Sequence, residues 1–273
     1  MFSKKEVRNL IVDGIGDTTI LLLEDEISFE NIYTSFLNEH RSLTPEAEKF
    51  VNDNFDKLKT KDPRLFNGTI FGLSSVRVEN RRIYIDFEKS EYKYFEATKT
   101  KEYLKYIEEG NYFTLPISVI GLIITKDKKV FFCCPSPRNF YKINGGYCDE
   151  SDLINNKLDT RNTFFRETRE ELGELNLYQE KVMAVGKIEH WFLLLACAKT
   201  EFTSKEVVEI RKQNEGKLED IYETENLTFV DNTAEDISKF FTKNKNKMDL
   251  PIRYAIAYYL KGRFNNYNHI NVK

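Results

Sequence analysis

No stretch of this 273-residue chain approaches the roughly 18 consecutive apolar residues that a bilayer-spanning helix needs. Its first residues, MFSKKEVRNLIVDGIGD, also lack an apolar run followed by a small-residue cleavage site. Both absences point to a soluble, cytoplasmic protein. The four cysteines, Cys133, Cys134, Cys148 and Cys197, include no C-x-x-C pair, and the adjacent two would point to opposite faces of a strand. Neither a zinc site nor a disulfide framework is expected. Histidine is scarce too, with His40, His190 and His269 scattered along the chain, so surface or satisfied polar roles are expected for them. Charge of one sign is also missing: 41 Lys and Arg oppose 44 Asp and Glu, a formal net charge of −3. Without a basic excess, nucleic acid held by phosphate contacts is not an expected partner.

The chain is long enough to bury a real core, and two unequal parts are expected. An N-terminal α+β region, residues 1–114, should hold a strand at 17–25 and a helix at 43–58, with Thr44 as cap and Pro45 in the first turn. It should also hold a β-hairpin at 69–89 around Glu79-Asn80-Arg81-Arg82 and a short helix ending at Gly110. A second unit, residues 115–273, should open with a hairpin of 118–125 and 129–135, followed by a glycine turn in KINGGY, 142–147. A helix from about Thr163 to Leu172 should stop at Gly173, which can adopt the left-handed conformation that ends helices. Strands at 181–188, 191–200 and 226–231 and helices at 204–213 and 249–264 complete an α/β/α order.

The chemistry concentrates in FFRETREELGEL, residues 164–175. On a helix, Glu167, Glu170 and Glu171 stand at i, i+3 and i+4 and share one face, while Phe164, Thr168 and Leu172 bury another. Like charges so spaced cost a few tenths of a kcal/mol per pair and call for a cation. Oxygen ligands within a single turn suit Mg²⁺ or Mn²⁺. Arg166, four residues before Glu170, can orient that carboxylate and offset part of the repulsion. Gly145 and Gly146 would let backbone approach a metal or phosphate, with the Gly146 carbonyl a further ligand candidate. Arg138 offers a planar fork of donors suited to a substrate phosphate, the competing and more common reading being an ordinary surface arginine. Charge-rich helix faces are common, so the order of hairpin, glycine pair and acidic helix carries the weight.

Residues 145 to 174 resemble the signature of the Nudix hydrolases, G-x5-E-x7-R-E-U-x-E-E-x-G-U, in which U is aliphatic. Arg166, Glu167, Glu170, Glu171 and Gly173 match it position for position, and Gly145 or Gly146 fits the leading glycine. Asp152 follows Gly146 at the x5 spacing with Asp in place of Glu, and thirteen residues, 153–165, separate it from Arg166 where the signature has seven. The spacer reads as an insertion, and Asp159 is an equally good stand-in for the glutamate. Thr168 and Glu174 occupy the aliphatic positions. The resemblance implies an α/β/α sandwich and hydrolysis of a nucleoside diphosphate derivative, with Mg²⁺ on Glu167, Glu170 and Glu171 and Arg166 as orienting partner.

A second resemblance, to the UDP-glucose diphosphatase branch, rests on LFNGTIFGLSSVRV (65–78), YKYFEATKTKEY (92–103), the enlarged glycine loop and the FTSKEVVEIRK helix. It implies a UDP-sugar substrate split to UMP and a sugar 1-phosphate, with Asn67 and Gly68 in a turn that either faces the site or is a plain turn. A catalytic base can come from a distant loop in this family, and Glu215, Glu219, Asp220, Glu223 and Glu225 are the candidates. ADP-ribose or mRNA-cap hydrolysis, and a non-catalytic nucleotide-binding module, are the competing functions. The oligomeric state is open, a homodimer being one option.

Overall fold

The computed structural model describes residues 8–10, 19–37, 43–109, 113–134, 140–216 and 226–264. The N-terminal sheet has the order β1-β4-β5-β3, from β1 (Arg8–Leu10), β3 (Ile32–Phe36), β4 (Thr69–Glu79) and β5 (Arg82–Glu91). Strands β4 and β5 form the hairpin expected from their alternation. Its turn residues Asn80 and Arg81 both have positive φ, 49° and 61°, the twist that two-residue hairpin turns favour. Helix α1 (Pro45–Lys61) starts where the sequence marks it, the Thr44 side chain accepting the Ala47 N–H at 3.3 Å. Two short helices, α2 (Tyr92–Thr98) and α3 (Tyr103–Glu108), follow β5, and Val51, Ala97, Tyr103 and Phe113 form a small core among them. Gly110 lies outside the described residues.

The larger sheet takes an edge strand from the N-terminal region. Strand β2 (Thr19–Ile27) pairs antiparallel with β11 (Leu177–Ile188), in the order β13-β7-β6-β12-β11-β2. The other strands are β6 (Ile117–Ile124), β7 (Lys129–Cys134), β12 (Trp191–Thr200) and β13 (Asn226–Asp231), with β12 parallel to β6. This sheet therefore crosses the sequence boundary placed at 114/115, and residues of both regions share one core cluster, Leu73 and Ile85 beside Val119 and Phe164.

Strand alternation explains the layers. On β12, Phe192, Leu194, Ala196 and Ala198 join the core shared with the N-terminal sheet. Leu193, Leu195 and Cys197 join the core under α6 (Ala234–Asn244) and α7 (Leu250–Phe264). Successive side chains point to opposite faces, so one apolar strand feeds both layers. On the first face lie α4 (Thr160–Leu172) and α5 (Ser204–Gln213). The result is a mixed α/β fold with helices on both faces of a sheet. Among the described residues, no helix is long and apolar enough to cross a membrane.

Two expectations need correction. KINGGY does not form a turn: Asn144–Tyr147 is a strand, β8, paired antiparallel with the first half of β6. The expected hairpin of β6 and β7 keeps one register pair, Ile124 with Val130, because β8 occupies the rest of that edge of β6 and β13 pairs along β7. Helix α4 also begins three residues earlier than expected, since Asp159 caps it, accepting the Arg161 and Asn162 N–H groups at 3.0 Å each.

Candidate active site

Helix α4 can approach the sheet because the residues beneath it are glycines. A Cβ on Gly121 of β6 would stand 2.6 Å from the Phe164 ring, so only glycine admits that fully buried side chain. On β8, a Cβ on Gly146 would lie 2.3 Å from the Glu167 carboxyl carbon. Gly145, at φ +130°, is held for a different reason: a Cβ there would sit 2.0 Å from the Val119 carbonyl oxygen. One glycine keeps the β6–β8 pairing and its neighbour keeps room for a carboxylate. Phe164, Thr168 and Leu172 are buried, as the helical spacing requires.

Arg166 is the hub. Its Nη1 donates to Glu167 Oε1 at 2.9 Å and Glu170 Oε2 at 3.0 Å. Its Nε and Nη2 grip Asp152 at 3.3 and 3.0 Å, and Nη2 also donates to the Tyr147 carbonyl at 2.9 Å. Asp149 lies 3.4 Å from Nη2. Burial works against the guanidinium charge, but Asp152, Glu167 and Asp149 outweigh it and raise the pKa well above the usual arginine value.

Asp152 is fully buried and receives two further hydrogen bonds, from Asn162 Nδ2 at 2.9 Å and from the Asp149 N–H at 3.1 Å. Asp159, the other candidate for this position, is spent on the helix cap. The six residues by which the spacer exceeds the signature are the hairpin of β9 (Leu153–Ile154) and β10 (Lys157–Leu158), turning at Asn155 and Asn156 with φ 51° and 58°. The Asp159 N–H donates to the Asp152 carbonyl at 2.8 Å across its base. The insertion loops out and brings its ends together, so Asp152 stands relative to Arg166 as if only seven residues intervened.

Glu171 is buried, and Asn144 Nδ2 donates to its Oε2 at 2.7 Å. Asn144 and Asp149 were not singled out in the sequence. For Asp149 a signal existed, the D-x-x-D spacing of a capping box, which the turn Glu150–Asp152 does form. Nothing local distinguishes Asn144, whose role comes from pairing β8 beside α4.

Arg138 lies outside the described residues, as do Glu219, Asp220, Glu223, Glu225, His40 and His269. Glu215 is exposed just beyond α5, 3.9 Å from Arg211. Its neighbour Asn214 approaches Gly173, where an added Cβ would meet Asn214 Nδ2 at 3.0 Å, so the end of α5 lies beside the C-terminal end of α4. Asn67 and Gly68 do not form the expected turn; they lie in irregular chain just before β4, where the Asn67 Oδ1 accepts the Lys93 N–H at 2.9 Å in the first turn of α2 and the Gly68 carbonyl accepts the Tyr92 N–H at 2.9 Å. Burial, then Lys99 and Lys187, lower the His190 pKa below its usual value.

The donor set fits Mg²⁺ or Mn²⁺ in kind: three carboxylates within one turn, and a glycine strand that leaves the space beside Glu167 free of a Cβ. Among the described residues no group of three His, Cys, Asp or Glu side chains is gathered as a finished metal cage. Glu167 and Glu170 lean on Arg166, and Glu171 on Asn144. Mg²⁺ characteristically takes one or two carboxylates and completes its shell with water and substrate phosphate, so a finished protein cage is not what such a site requires.

Solved structures similar to this chain include Nudix hydrolases. A NUDIX-family hydrolase from Clostridium perfringens matches at 17% identity with a TM-score of 0.36, over 55% of this chain and 98% of its own. Tm1382, described as a candidate Nudix hydrolase, matches at 14% identity with a TM-score of 0.36, over 72% of this chain and 89% of its own. No family model and no curated protein matches the chain.

Proposed function

We propose that this chain is a Mg²⁺- or Mn²⁺-dependent Nudix hydrolase that splits the diphosphate of a nucleoside diphosphate linked to a sugar or similar moiety. The observation that carries the reading is the Arg166 hub, which joins Asp152, Glu167 and Glu170 in one network across a looped-out insertion. A helix that merely balanced its charges would not need a fully buried aspartate fourteen residues away to complete the pairing.

Glu167, Glu170 and Glu171 are the proposed metal ligands, with the Gly146 carbonyl as a fourth. A divalent ion bound there polarises phosphoryl oxygens and lowers the pKa of the attacking water. Arg166 holds Glu167 and Glu170 oriented, and its own rotamer is fixed by Asp152 and the Tyr147 carbonyl. Asn144 fixes the Glu171 carboxylate by donating to its Oε2. A UDP-sugar is the favoured substrate, giving UMP and a sugar 1-phosphate.

The test is phosphate release through a coupled phosphatase from UDP-glucose, ADP-ribose, NADH, dinucleoside polyphosphates and capped RNA, with and without Mg²⁺. Mg²⁺-dependent turnover of UDP-sugars alone is expected. Turnover of ADP-ribose or cap instead would overturn the substrate class, and nucleotide binding without turnover of any substrate would make the chain a non-catalytic module.

A further inference from the structure

The looped-out hairpin is anchored to the N-terminal sheet by one side chain. Thr34 of β3 donates its hydroxyl to the Leu158 carbonyl at 3.1 Å and accepts the Leu158 N–H at 2.8 Å, so a single Oγ1 satisfies both backbone groups of that residue. Leu158 is buried in the core shared by the two regions. From Leu158 the bonding runs directly to the carboxylate network. The next residue, Asp159, donates its N–H to the Asp152 carbonyl and caps α4. Asn162, held by that cap, donates to Asp152 Oδ1 at 2.9 Å, and Asp152 grips Arg166. The opposite flank of the loop is braced from the same sheet: the Phe71 N–H of β4 donates to the Cys148 carbonyl at 3.1 Å, and Lys89 of β5 pairs with Glu150.

We infer that Thr34 is a positioning residue for the carboxylate site: by pinning the inserted hairpin at Leu158 it holds Asp152 and Asp159 at the separation that lets Asp152 orient Arg166, and through it Glu167 and Glu170. The N-terminal sheet is thus part of the site's support. The inference rests on the proposed metal site only for what the oriented carboxylates then do. An inserted hairpin adds chain freedom between two residues that must stay close, and a polar anchor at its base removes that freedom locally.

Thr34→Val keeps the shape and removes both bonds, while Thr34→Ser keeps the hydroxyl. In the metal-free chain, Thr34→Val should raise amide hydrogen exchange in the segment 149–163 by about thirtyfold, the opening expected from losing two hydrogen bonds. Thr34→Ser should stay near wild type. Asn156→Ala, which strains the hairpin at its positive-φ tip, should reproduce the effect from the other end. Mn²⁺ titration followed by electron paramagnetic resonance should show weaker binding for Thr34→Val and recovery in Thr34→Ser. Unchanged exchange in Thr34→Val and Asn156→Ala, or no recovery in Thr34→Ser, overturns the inference. A wild-type chain that binds no Mn²⁺ overturns the proposed metal site instead, and exchange still decides the role of Thr34.

Discussion

Asp152 and Asp159 are separable by unfolding measurements, because the structure gives them different work. Asp152→Ala removes a fully buried carboxylate that accepts from both arms of the Arg166 guanidinium, from Asn162 and from a backbone N–H. Removing one partner of a buried ion pair costs about 3–5 kcal/mol, since the partner left behind keeps its desolvation cost. Arg166 retains Glu167, Glu170 and the Tyr147 carbonyl, which places the expected loss near 3 kcal/mol, the low end of that range. Asp159→Ala removes a helix cap, worth about 0.5–2 kcal/mol. With a urea dependence of about 3 kcal/mol per M for a chain of this size, the midpoint should fall by about 1 M for Asp152→Ala and by about 0.2–0.7 M for Asp159→Ala. The unfolding is run in EDTA, so that bound metal does not add its own linkage to the folded state. An Asp159→Ala shift equal to or larger than that of Asp152→Ala would refute the assignment of Asp152 to the Arg166 network.

The glycine pair should separate fold from function. Gly145→Ala drives a Cβ into the Val119 carbonyl at a positive φ and should destabilise the chain by several °C in a thermal scan, whereas Gly146→Ala displaces only the flexible end of Glu167 and should weaken Mn²⁺ binding with little change in melting temperature. The reverse pattern would contradict the β8 geometry. Glu171→Gln keeps an acceptor for Asn144 and should leave the circular dichroism spectrum intact while abolishing metal-dependent turnover; an unchanged rate sinks the site assignment. At Asp127, burial raises the carboxyl pKa, but the Ser204 hydroxyl, Thr125 and the Ser204 N–H prevail and lower it from 3.8 to about 2. A depressed folded-state pKa contributes stability above the unfolded value that is lost as pH falls through the folded one. The stability difference between wild type and Asp127→Ala should therefore shrink between pH 4 and pH 2, and a constant difference in urea midpoints across that window would contradict it.

Much of the fold was legible because its signals are local. Helix α5 opens on a capping box of Thr203 and Glu206, Gly173 ends α4, and Asn80-Arg81 turns the β4–β5 hairpin. A glycine pair usually marks a turn, and it is the pairing of β8 with β6, which four residues do not encode, that makes Asn144–Tyr147 extended. Strand β3 and helix α6 carried apolar spacings too short or too mixed to stand apart from their neighbours.

The layout of α4 follows from spacing alone: with Arg166, Glu167, Glu170 and Glu171 at these positions, any helix must put the carboxylates on one face and the arginine within reach of Glu170. Helical geometry needs no partner to dictate that. Which aspartate completes the network was left open, because Asp152 and Asp159 are equivalent in type and an insertion makes sequence distance meaningless. Asp152 takes that place because residues 153–158 fold into a hairpin whose ends meet and whose last residue is tied to Thr34, more than a hundred positions earlier.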